Sequence, residues 1–152
     1  MAPTIRSLLF GAGRPGGRVP ALLLAAGTFV VSFAAYALGV FTVSGGIVWI
    51  PFHAAVVGTV AACWVGYDRR GLAFGWLVTC TSLLGSRADH ALFGLSSRSL
   101  GERLAYVVRP DGLAVLGVEG VVLGTLAFAV GSLLRRGVDS VRTGTTQPGD
   151  GG

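Results

Sequence analysis

Residues 19–43 read VPALLLAAGTFVVSFAAYALGVFTV, twenty-five positions without one charge. An α-helix rises 1.5 Å per residue, so about 20 apolar residues cross the ~30 Å hydrocarbon core of a bilayer. This run is long enough to do so. A secretory signal is the rival reading, because Ala35-Tyr36-Ala37 resembles a cleavage site that would leave 19–37 as leader. The apolar run continues past that site and is too long for a signal core. Residues 19–43 therefore read as a first membrane span.

Three further runs follow. Ile47 to Tyr67 is apolar apart from Pro51 and His53. Proline near a helix start is tolerated, since first-turn N–H groups have no intrahelical partner. The third run, 72–93, is cleanly apolar to Gly85 and then carries Arg87, Asp89 and His90 at its far end. The fourth, 113–134, is interrupted only by Glu119 and is closed by Arg135 and Arg136. The expected fold is all-α, a four-helix transmembrane bundle with spans at about 19–43, 47–67, 72–93 and 113–134.

Connections and tails complete this plan. Residues 1–18 are Gly- and Pro-rich with Arg6, Arg14 and Arg18, and read as a flexible basic tail. Ser44-Gly45-Gly46 and Asp68-Arg69-Arg70-Gly71 read as tight turns. Ser99 and Glu102 have capping-box spacing. Leu100, Leu104, Val107 and Val108 fall on one helical face, so 99–108 reads as a short amphipathic helix on the membrane surface. Arg109-Pro110-Asp111-Gly112 has the composition of a β-turn. Residues 137–152 read as a disordered tail.

Composition agrees with a lipid solvent. Only 12% of the 152 residues are charged, 52% are hydrophobic, and the mean hydropathy is +0.71. Soluble domains carry about 25% charged residues. All twelve basic residues are Arg, with neither Lys nor Asn, the pattern of a GC-rich, prokaryotic coding sequence. The net charge of +5 does not point to nucleic acid, because the arginines flank apolar spans and do not line one face with interleaved aromatics. Cytoplasmic loops are enriched in basic residues. With the N-terminus inside, Arg6, Arg14, Arg18, Arg69, Arg70, Arg135, Arg136 and Arg142 lie inside, and Arg87, Arg98, Arg103 and Arg109 outside. That split places both termini in the cytoplasm and the chain in the cell membrane.

Two sets of residues stand out. Ala54, Gly58, Ala62 and Gly66 recur every fourth position, and Gly120 and Gly124 form GxxxG. Such stripes let helices approach closely, within one chain or between copies. The second set is chemical. His53 and Glu119 each sit six residues into a span entered from outside, roughly 9 Å deep, and Arg87, Asp89 and His90 lie at the outer end of the third span. A charge facing lipid near the bilayer centre costs about 2.5–3.5 kcal/mol. Glu119 is therefore expected to face inward and find a partner, with Arg87 offering a bidentate pair and His53 a shared proton. These five residues form one candidate intramembrane polar cluster.

Two functions follow from that cluster. As a structural clamp it belongs to a non-enzymatic accessory or structural subunit, whose partners are the lipid bilayer and a second copy or a larger membrane complex. As a substrate, ion or proton site it belongs to a small transporter or channel-like protomer. A metal role lacks any local motif such as HExxH, and no cofactor is expected. Gly11 to Gly16 spells GxGxxG, but no strand precedes it and Pro15 interrupts it, so it is not a nucleotide loop. Neither a GxSxG motif nor a Ser/His/Asp set at recognisable spacing occurs. Cys63 and Cys80 sit in apolar runs without CxxC spacing and read as small hydrophobes.

Overall fold

The computed structural model describes residues 5–11, 18–42 and 51–144. Within them the chain is all-helical and no strand occurs. A short helix α1 (Ile5–Phe10) precedes α2 (Arg18–Ala37), α3 (Phe52–Tyr67) and α4 (Leu72–Asp89). A π-helical turn, His90–Gly94, continues α4. Helix α5 (Leu100–Val107) leads into the longest element, α6 (Pro110–Gly144). The 44–46 turn, the start expected for the second span at Ile47, most of the GxGxxG stretch and residues 145–152 lie outside the described residues.

Two helices are each long and apolar enough to cross a membrane: Val19–Ala37 and Pro110–Arg142. The other two expected spans are marked differently. Helix α3 is apolar but has 16 residues, because Pro51 caps its start. Helix α4 carries Arg87 and Asp89 in its last turn.

The four long helices alternate in direction. Thr28 and Ser32 of α2 meet Thr81 and Ser82 of α4, so those two run parallel. Gly75 of α4 meets Gly124 of α6, and Arg87 meets Gly112, so α4 and α6 run antiparallel. Helix α4 lies centrally, packed on α2, α3 and α6.

Side-chain size is sorted inside out. The interior is built from Ala25, Ala54, Ala61, Ala62 and Ala127 with buried Ser32, Thr79 and Ser82, plus Val65, Val78 and Leu83. The large aliphatics point outward: Leu23, Val60 and Val118 are 68%, 65% and 66% exposed. A bundle in water sorts its side chains the other way.

Backbones meet where the small residues lie. A Cβ on Gly58 would press on Thr79 and Ser82, and one on Gly66 would overlap the Phe128 backbone. Gly120 sits against Cys80, Gly124 against Gly75 and Trp76, and Gly131 against the Cys63 carbonyl. Every one of these contacts is between helices of the same chain.

Hydroxyls add a polar seam. Ser82 donates to the Ala54 carbonyl at 2.7 Å and lies 2.7 Å from Ser32 Oγ. Thr28 Oγ1 lies 3.0 Å from Thr81 Oγ1 and 3.2 Å from the Val78 carbonyl. Thr79 and Ser86 also bond back to Gly75 and Leu83 on their own helix. With these links, polar α4 is accommodated at the centre without a bare hydroxyl.

Four boundaries differ from expectation. The first span, expected to reach residue 43, stops as a helix at Ala37, where Gly39 takes φ +70 and its N–H turns back to the Tyr36 carbonyl at 2.9 Å. The supposed flexible tail contains α1, which is pinned by close backbone approach of Gly11 to Arg70 and of Gly71 to Leu9 and Phe10. Gly71 has φ +108, a conformation that favours glycine. The Arg109–Gly112 β-turn is instead the start of α6: Leu113 N–H bonds the Arg109 carbonyl at 3.0 Å, and Pro110 occupies the first helical position, where its missing N–H costs nothing. The expected tail from 137 is helical through Gly144. The Arg135–Asp139 pair at 3.2 Å, one turn apart, supports that extension, and Arg69 reaches Asp139 from the α3–α4 turn at 3.4 Å.

Candidate functional site

The five residues singled out in the sequence lie on helices that share one pole of the bundle. There α4 ends, the π turn and α5 follow, and α3 and α6 begin. The structure links them in separate groups.

Arg87 belongs to the α5–α6 junction. Its Nη2 donates to the Tyr106 carbonyl at 2.7 Å and its Nε to the Val107 carbonyl at 3.2 Å. The guanidinium lies over the Tyr106 ring, 4.7 Å from the centroid, and fills the space beside Gly112. The last carbonyls of a helix lack intrahelical partners and carry its negative dipole end. Arg87 serves both needs, so it is committed to α5 and not to Glu119.

Asp89 is half-buried, and its fully shielded Oδ1 has no hydrogen-bond partner among the described residues. His90 and Tyr36 are within electrostatic reach of it. His90 itself is exposed on the π turn, its ring 5.8 Å from that of Tyr106. Arg87 and His90 thus converge on Tyr106.

His53 sits elsewhere, in an aromatic group. Its ring stacks on Phe41 at 4.9 Å and 14°, with Phe52 edge-on at 5.8 Å. Glu119 is half-buried on α6 between Leu116 and Leu123, one helical turn to either side, both packed against Tyr36, Ala54, Ala55 and Leu83. Glu119 makes no hydrogen bond or ion pair with any described residue. Among the described residues, no three His, Cys, Asp or Glu side chains are grouped to hold a metal ion.

Helix α5 has its own cap. Ser99 donates its N–H and hydroxyl to Glu102 Oε2, each at 3.0 Å, and accepts the Glu102 N–H at 3.4 Å. These bonds hold the Glu102 carboxyl below its usual range. Arg103 clasps the preceding loop, donating to the Leu92 carbonyl at 3.0 Å, the Arg98 carbonyl at 2.9 Å and the Ser96 carbonyl. Two arginines of the expected outer loop, Arg87 and Arg103, are therefore carbonyl clamps. A charge count assigns them to topology alone.

Sequence reasoning missed Tyr106, which organises Arg87 and His90. The hydroxyls that link α2, α3 and α4 were not singled out either. Thr28 and Ser32 are spaced by four, which was the available sign that these hydroxyls share a helix face and meet a neighbour. Chemically, the pole offers one shielded carboxylate oxygen at Asp89 and, at Glu119, a carboxylate unpaired among the described residues, each able to take up a proton or accept a donor. Comparison of the chain with protein families, curated proteins and solved structures finds no match in any of the three.

Proposed function

We propose that the chain is a multi-pass protein of the cell membrane, with α2, α3, α4 and α6 as its four spans and both termini cytoplasmic. In this reading it is a non-enzymatic accessory or structural subunit. The observation that carries it is the inside-out sorting of side chains: small and hydroxyl residues within, bare Leu and Val without. Lipid is as apolar as leucine, so helices in it associate through close backbone approach and hydroxyl bonds. The contacts of Gly58, Gly66, Gly120, Gly124 and Gly131 are of that kind. Helix α5 lies at the outer surface, with exposed Leu100, Leu104 and Val108 turned to the lipid interface.

Topology is tested by single cysteines added at Ser97 and Ser140 in intact cells. A membrane-impermeant maleimide is expected to label Ser97→Cys from outside and Ser140→Cys only after lysis. Labelling of both from one side overturns the four-span plan.

A second reading, a small transporter or channel-like protomer, is favoured by Asp89 Oδ1, shielded and without a hydrogen bond among the described residues. Proteoliposomes separate the two. The subunit reading predicts proton and cation flux equal to that of empty vesicles. Flux above that level which Asp89→Asn or Glu119→Gln abolishes overturns it in favour of transport.

A further inference from the structure

We infer that α1 is an inner-leaflet anchor, a short helix lying along the cytoplasmic surface of the bilayer and docked on anionic lipid headgroups.

The argument starts from composition. Residues 1–18 carry Arg6, Arg14 and Arg18 and no acidic residue, and among them stand Ile5, Leu8, Leu9 and Phe10. Arginine beside Leu and Phe is the composition of helices that bind a membrane surface. Helix α1 has six residues, too few to hold a helix in water without outside contacts. One contact is with the protein. Leu9 is half-buried, and the end of α1 lies against the α3–α4 turn, where Gly11 meets the Arg70 carbonyl and Gly71 meets the Leu9 carbonyl. The other side is bare: Ile5, Leu8 and Phe10 are 80%, 48% and 57% exposed.

Height identifies what covers it. The turn that holds α1 leads directly into α4, which starts at Leu72. In the membrane reading this is the level at which α4 enters the hydrocarbon. Tyr67, at the end of α3, lies under the Arg135 guanidinium at 5.2 Å, and tyrosine and arginine mark the headgroup level. A helix fixed at that height lies in the interface, with its apolar side chains reaching the acyl boundary.

Charge identifies the lipid. At this end of the bundle Arg69, Arg70, Arg135 and Arg136 stand against Asp68 and Asp139. The excess is positive, and the three arginines of residues 1–18 add to it. Basic segments at the cytoplasmic surface are attracted to its anionic lipids. A protein partner fits less well. Stable protein interfaces bury about 800 Å² on each side, and three side chains on a short helix fall well below that.

The inference rests on the membrane reading above, and the experiment separates the two. The full chain with Cys63→Ala and Cys80→Ala, carrying a nitroxide at Leu8→Cys or at Val60→Cys, is reconstituted in phosphatidylcholine vesicles with or without phosphatidylglycerol. Dissolved oxygen and a water-soluble nickel chelate, present on both sides of the bilayer, report immersion. With phosphatidylglycerol, oxygen is expected to relax the Leu8 label more than nickel does. The oxygen-to-nickel ratio at Leu8 should fall when phosphatidylglycerol is left out. It should fall likewise when Arg6→Gln, Arg14→Gln and Arg18→Gln are combined, with the ratio at Val60 unchanged. A Leu8 label relaxed mainly by nickel in phosphatidylglycerol vesicles, or a ratio that either change leaves as it was, overturns the anchor while oxygen still dominates at Val60. Nickel dominating at Val60 instead overturns the membrane reading itself.

Discussion

The middle of the bundle and the pole that carries α5 are held by different physics. In the middle, backbones touch across Gly66, Gly120, Gly124 and Gly131, and hydroxyls bridge from helix to helix. At the pole, one long side chain, Arg87, ties α4 to the end of α5 and the start of α6. The middle depends on what its residues lack. The pole depends on what a single residue reaches. The two regions should therefore fail differently.

The largest effect is expected in the middle. A side chain at Gly131 would drive into the Cys63 backbone, and one at Gly66 into Phe128. Overpacking usually costs ~1–3 kcal/mol and more when backbone must move. Gly131→Leu should abolish the folded peak in detergent size-exclusion chromatography. A monodisperse variant with an unchanged thermal midpoint would remove close approach as the organising contact.

Next comes Arg87. Its removal leaves the Tyr106 and Val107 carbonyls without their charged donor, a loss of roughly 1.5–3 kcal/mol for each such bond where it is shielded. Arg87 is half-buried, so the lower end applies. Arg87→Ala should lower the thermal midpoint and open the α5 region to protease while the remaining helices stay intact. Arg87→Lys should rescue it only in part, because an ammonium lacks the planar fork. Uniform destabilisation by Arg87→Ala would mean that pole and middle are one cooperative unit.

Ser82→Ala ranks lower. Hydrogen bonds between helices within a bilayer average ~0.6 kcal/mol. This variant loses the bonds to Ser32 and Ala54 together, and differential scanning fluorimetry should show a modest drop. A loss as large as that of Gly131→Leu would place the hydroxyl seam above backbone contact.

The smallest effects lie at the α5 cap and at Glu119. The Ser99 bonds lower the Glu102 pKa from the ordinary 4.5. A carboxyl depressed in the folded state contributes stability above the unfolded value and loses it as pH falls through the folded one. The midpoint difference between the parent chain and Glu102→Ala should thus be full at neutral pH and shrink below about pH 4.5. A difference independent of pH would assign the cap to the Ser99 hydroxyl alone. Glu119 has no ionic partner among the described residues, so Glu119→Gln should leave the thermal midpoint nearly unchanged. A marked loss would restore the clamp expected from sequence.

Much of the architecture was legible because its signals are periodic. Charge-free runs and turns located all the long helices, and Ser99 with Glu102 announced α5. The small-residue stripe at 54, 58, 62 and 66 pointed to a packing face, although spacing alone did not say which helix it meets. The polar site was less legible. Depth arithmetic put His53, Arg87, Asp89, His90 and Glu119 at one end, but height along an axis leaves azimuth open. Backbone carbonyls, invisible in a list of charged residues, took Arg87. Phe41 and Phe52 took His53. Pro110, a turn former by composition, began a helix because its position needed no N–H.

The central claim is that lipid, not water, covers the outward Leu and Val. Nitroxide labels at Val56, Val60 and Trp64 on the outer face of α3, in reconstituted bilayers, test it most directly. The account predicts relaxation by dissolved oxygen and exclusion of a water-soluble nickel chelate at all three. Stronger relaxation by the nickel chelate at Val60, midway along the helix, would contradict it.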